Sequence, residues 1–159
     1  MDIFDIAINM EVKGAAFYRD LAQRASSEGF KKIFLMLAED EDRHKETFEA
    51  MKEGSSVTVT TTNAKDRAAN IFKQFSKDEI LKEESELSLY EEALEIELKS
   101  IEYYTAHLDE TKDEKQRKVI EEIIAEERSH YDLIDQIIIM VERPDRWIEQ
   151  AEFGVREDY

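Results

Sequence analysis

The chain of 159 residues contains no cysteine. That excludes disulfides, cysteine-ligated zinc, iron–sulfur clusters and thiol nucleophiles within it. One proline and four glycines leave few breaks, and a surplus of Glu, Lys, Leu, Ile and Ala favours helix. Cations are also scarce. Lys and Arg number 22 against 39 Asp and Glu, of which 26 are Glu, and the formal charge is −17. This argues against nucleic acid as a partner, since the phosphate backbone calls for clustered cations. It argues equally against adhesion to an anionic membrane. Apolar runs such as Ile137–Val141 are far short of the roughly 20 residues of a membrane span. The start, Met1-Asp2-Ile3-Phe4-Asp5, lacks the basic and apolar regions of a signal peptide, so the expected location is cytoplasmic. What remains is 42% hydrophobic, enough for one domain with a core at this length.

Apolar residues recur at helical spacing in four long stretches. The first, from about Asp2 to Ser26, carries Ile3, Phe4, Ala7, Met10, Phe17 and Leu21. The second, from about Glu28 to Glu53, carries Ile33, Phe34, Leu37, Phe48 and Met51, with Gly54 as its stop. A third is expected from Ser88, where Ser88-x-x-Glu91 reads as a capping box, to about Asp109. A fourth runs from about Lys112 to Glu142, before Pro144. Between the pairs, a crossover over 54–87 begins polar and Thr-rich. It then offers a short helix around Ile71, Phe72 and Phe75, and a capping box at Ser76-x-x-Glu79. The tail over 143–159 carries Trp147 and Phe153 and is expected to dock on the bundle. Two helical hairpins, 1–53 and 88–142, joined by one long crossover form an all-α domain over 1–142 with the connectivity of ferritin-like four-helix bundles.

The two hairpins repeat each other at an offset of 86. Ala7-x-x-Met10-Glu11-Val12-Lys13 aligns with Ala93-x-x-Ile96-Glu97-Leu98-Lys99. The same offset carries Tyr18 onto Tyr104, Glu41 onto Glu127 and His44 onto His130 without a gap. Each copy reads Glu-x6-Tyr, then Glu-x-x-His. Positions three, four and seven apart share a helix face. Glu11, Glu41, Glu97 and Glu127 therefore each sit in the middle of an apolar stripe, with His44 and His130 one turn further along.

Four inward carboxylates cannot share a core unaided, because burying even one unpaired ion costs several kcal/mol. Lys13 and Lys99 lie far around their helices from the stripe. Two divalent ions would match the four negative charges. Two Glu plus two Glu-x-x-His motifs is the ligand inventory of di-iron and di-manganese carboxylate bundles. Carboxylate with imidazole suits iron or manganese, and zinc is compatible. A single Glu-x-x-His is weak in a Glu-rich chain. Two of them at one offset, with two Glu-x6-Tyr motifs at the same offset, are specific.

With these motifs the sequence resembles the rubrerythrin branch of the ferritin-like superfamily over roughly residues 1–142. The resemblance implies that Glu41 and Glu127 bridge two iron ions and that Glu11 and Glu97 are terminal ligands. His44 and His130 would complete the set, with Tyr18 and Tyr104 near the bridging carboxylates. Rubrerythrins proper add a four-cysteine rubredoxin domain, which this cysteine-free chain lacks, so electrons are expected from an external donor such as a separate rubredoxin. They also usually have a further Glu one turn after the third-helix ligand. Here that position is Ser100, and its repeat equivalent is Gly14.

The expected activity is reduction of hydrogen peroxide or O₂ at a di-iron centre. Two rivals are Fe²⁺ oxidation and storage, which shares every ligand, and a non-enzymatic helical module with a structural metal. A homodimer is expected, with hairpins exchanged between chains as an option that the long crossover permits. Asp40 and Glu126 share the repeat offset. They read as solvated flanking acids, like Glu39 and Asp42, with hydrogen bonding to the ligands as the alternative. His107 reads as a surface histidine.

Overall fold

A computed structural model describes residues 2–58 and 62–146. The described residues form helices and no strand. In chain order these are α1 (Ile3–Arg24), α2 (Glu28–Lys52), α3 (Ala64–Lys73), α4 (Lys77–Leu81), a 3₁₀ turn (Glu84–Glu86), α5 (Leu87–Leu108) and α6 (Glu114–Glu142). The expected all-α, ferritin-like bundle is present, with α1–α2 and α5–α6 as the hairpins. None of these helices is long and apolar enough to cross a membrane. Trp147 and Phe153, expected to dock the tail, lie outside the described residues.

Local chemistry sets the helix ends. Asp2 accepts from the Asp5 amide at 2.9 Å, Ser27 from Phe30 at 3.3 Å, and Asp113 from Lys115 and Gln116 at 2.9 and 3.1 Å. These side-chain oxygens satisfy amides that have no partner in the first turn. Gly54 ends α2 at φ 83°, a left-handed conformation that costs glycine nothing. Arg143 leaves helical geometry at φ −136°, ψ 62°, as a residue before proline should. The Ser76–Glu79 capping box is present in both directions.

The capping box expected at Ser88 is not there. No side chain caps α5, which begins one residue earlier, at Leu87. The 3₁₀ turn runs directly into the helix, and the Glu86 amide already donates to Glu83 O at 2.9 Å.

The core comes in two parts. One gathers Leu21, Phe30, Phe34, Leu37, Tyr90, Leu133 and Ile137, with Phe72 and Ile80 from the crossover. The other gathers Ala7, Phe48, Met51, Tyr104, Ile120 and Ile123. The end of α1 and the start of α5 share the first part, while the start of α1 and the end of α5 meet in the second, so these helices run antiparallel. Between the two apolar parts, every long helix passes through one polar layer.

The crossover is anchored by a buried acid that the sequence did not flag. Glu83 accepts from the Ser26 amide and hydroxyl, both at 2.9 Å, and from Tyr90 Oη at 2.6 Å. Glu83→Ala leaves three donors without their acceptor, each worth about 1 kcal/mol or more. We expect a loss of about 3 kcal/mol in urea unfolding, with metal binding at the distant polar layer retained.

Candidate metal centre

The polar layer is built where each long helix turns one carboxylate inward. Glu11 on α1, Glu41 on α2, Glu97 on α5 and Glu127 on α6 are all buried, as are His44 and His130. The structure brings all six together. Glu11, Glu41, His44 and Glu127 offer one donor atom each, all within 4.8 Å of one another. Glu41, Glu97, Glu127 and His130 do the same. Glu41 and Glu127 belong to both groups, while the other four belong to one each.

Both imidazoles face this layer through Nδ1. That atom of His44 lies 3.0 Å from Glu127 and 3.4 Å from Glu11. In His130 it lies 3.1 Å from Glu41, 3.4 Å from Glu97 and 3.7 Å from Glu127. Several of these atoms approach without bonding. His44 Nδ1, Glu127 Oε1, Glu11 Oε2 and Glu97 Oε2 are buried and have no hydrogen-bond partner. Donor atoms that crowd together unpaired converge on a shared point rather than on each other. A cation there would satisfy them, so the residues present fit a metal ion.

Electrostatics agree. Burial pushes the Glu41 and Glu127 carboxyls well above the usual range, and neighbouring glutamates push them further. Glu11 is raised by burial and by Glu127. In Glu97, burial also pushes upward, but the His130 charge and hydrogen bond outweigh it and hold the carboxyl low. Burial lowers both imidazoles, yet the surrounding carboxylates, Glu11 first for His44 and Glu97 first for His130, hold them well above their ordinary value. The metal-free layer therefore keeps protons where metal charge would otherwise sit.

Each tyrosine hydroxyl bonds a glutamate of the other hairpin. Tyr18 Oη donates to Glu97 at 2.5 Å and Tyr104 Oη donates to Glu11 at 3.0 Å. These bonds go to the two unshared glutamates, while Glu41 and Glu127 are near enough to raise both phenols as well. Because α1 and α5 run antiparallel, two turns along one helix is level with the glutamate of the other. Both phenols are held well above their ordinary value, by burial first and then by the glutamate each touches.

Asp40 and Glu126 are buried rather than solvated. His130 Nε2 lies 2.9 Å from Asp40, and His44 Nε2 lies 3.2 Å from Glu126. Each carboxylate thus holds the far side of the imidazole from the other hairpin. Arg43, Arg67 and the Thr62 amide, none of which sequence reasoning found, hold Asp40 and Glu126 in turn. Glu39 is exposed, and Asp42 is half-buried and pairs with Arg19. His107 pairs with Glu110 at the surface. Gly14 lies against the layer, where an added Cβ would stand 3.4 Å from the Glu41 carboxyl carbon, and Ser100 is buried.

The family model described as Rubrerythrin matches residues 2–138. No curated protein and no solved structure matches.

The metal-free protein should lose stability as pH rises above the ordinary carboxylate and imidazole ranges. Glu41, Glu127 and both histidines have folded-state values above their unfolded ones. Their contribution is complete below the unfolded values, about 4.5 for Glu and 6.5 for His, and is lost as pH climbs through the folded ones. Glu97, Asp40 and Glu126 are held low, so theirs is lost only at more acid pH. Thermal unfolding with chelator and with added Mn²⁺ checks this. The transition temperature should fall with pH in chelator, and the gap to the metal-loaded protein should widen. Glu127→Gln should stabilise the chelated protein at pH 8 by about 1–3 kcal/mol and weaken metal uptake.

Proposed function

The chain belongs to the rubrerythrin family, and from that premise we propose that it is a di-iron oxidoreductase reducing hydrogen peroxide with electrons from an external donor. The observation that carries the reading is the pair of buried donor groups that share Glu41 and Glu127. Glu11 and His44 would hold one ion and Glu97 and His130 the other, with Glu41 and Glu127 common to both. When bound, two ferrous ions would supply the two electrons that cleavage of a peroxide O–O bond consumes.

The chain's own part is positioning, exclusion of water and custody of protons. Tyr18 and Tyr104 each occupy one oxygen of Glu97 and Glu11, which leaves Oε2 of each unpartnered and free to ligate. Their raised values keep a proton on each phenol beside the layer. The two apolar core parts exclude bulk water above and below, which strengthens every charge interaction inside. Gly14 and Ser100 carry no carboxylate, so the donor set stays at the four glutamates and two histidines. All six groups meet within one chain.

Stopped-flow oxidation of the ferrous protein tests the proposal. Hydrogen peroxide should oxidise it faster than O₂ does at equal concentration, with about two ions per chain. An O₂ rate that matches or exceeds the peroxide rate, with iron retained beyond two ions per chain, points to Fe²⁺ oxidation and storage instead.

A further inference from the structure

The repeat breaks at a position just outside the donor layer. The offset of 86 that carries Asp40 onto Glu126 carries Arg43 onto Ser129, so only one hairpin supplies an arginine there. That arginine serves both. Arg43 Nη2 donates to Asp40 at 2.6 Å and to Glu126 at 2.7 Å. Asp40 is the acceptor beside His130 Nε2, and Glu126 the one beside His44 Nε2. Both carboxylates are buried, while the Arg43 side chain is 45% exposed.

The crossover completes each half differently. On the Asp40 side, Arg67 of α3 adds a second guanidinium, donating to Oδ1 at 3.1 Å and also to Oδ2. On the Glu126 side the crossover adds, among the described residues, the Thr62 amide at 3.3 Å. Ser129, in Arg43's equivalent position, accepts from the Ala64 amide at 3.2 Å and donates to Glu126 O at 2.6 Å. The crossover backbone fills the space that a second arginine would need.

We propose that Arg43 is a positioning residue for both imidazoles at once, coupling the two metal positions, and that Arg67 acts on His130 alone. A histidine ligand is oriented by the group that accepts its other ring proton. Here a single cation fixes both acceptors. The two halves are related by the repeat but are not equivalent in their support. This rests on the metal reading above.

The test uses the full chain loaded with Zn²⁺ and the ring N–H signals of its three histidines, with His107→Gln removing the surface one. Wild type should show two Nε2–H signals that exchange slowly with water. Arg43→Gln should speed exchange of both and weaken zinc binding at both positions by about 10–100-fold. Arg67→Gln should disturb one signal and one position only. Thermal unfolding of the metal-free variants separates these effects from loss of fold. If Arg43→Gln does not fold, Arg43→Lys keeps the charge and should give both signals intermediate exchange rates. Either signal unchanged in the Arg43 variant, or both disturbed equally by Arg67→Gln, overturns the assignment. A wild type that takes up no zinc removes the metal reading, and this inference with it.

Discussion

Four carboxylates buried in one layer are the constraint around which this fold is arranged. Ionised together without compensation, they would cost more than a domain's whole margin of stability of about 5–15 kcal/mol. Every neighbouring choice answers that cost. The two imidazoles face the layer and stay charged in the metal-free protein. Burial forces protons onto Glu41 and Glu127. The next shell outward is balanced separately, with Asp40 and Glu126 matched by Arg43 and Arg67. The inner charge is what a metal ion could answer, and the outer charge is already spent on holding the histidines.

The inner layer was legible in the sequence because two independent signals coincided there. A carboxylate inside an apolar stripe is anomalous once, and at Glu11, Glu41, Glu97 and Glu127 the anomaly recurs at one offset. What a helical pattern cannot supply is the partner across the bundle. Tyr18 shares a stripe with Glu11, but its hydroxyl goes to Glu97, because the answer depends on the relative direction of α1 and α5. Asp40 and Glu126 carried the repeat signal but lie next to the stripe rather than on it, so they resembled the exposed acids around them.

Arg67, Thr62 and Glu83 were out of reach for another reason. They belong to the crossover, which has no repeat, and their partners are 27 to 64 residues away or sit in a loop end. The capping box at Ser88 shows the opposite error. The motif is real as a local pattern, but the 3₁₀ turn carries the chain into the helix before Ser88, so Ser88 lies inside it and caps nothing. Ser76–Glu79 has the same pattern, and there the chain enters the helix from an extended residue, so the cap forms.

The crossed hydrogen bonds have a consequence for how such a sequence can change. Tyr18 reaches Glu97, Tyr104 reaches Glu11, and His130 reaches Asp40 across 90 residues of chain. Neither copy of the repeat keeps its own histidine or its own unshared glutamate, Glu11 or Glu97, in place. The duplicated halves therefore cannot drift as two independent units. A substitution in one is felt first in the other, and the symmetry of the pair is preserved by mutual dependence at these bonds, while the crossover is free to break it.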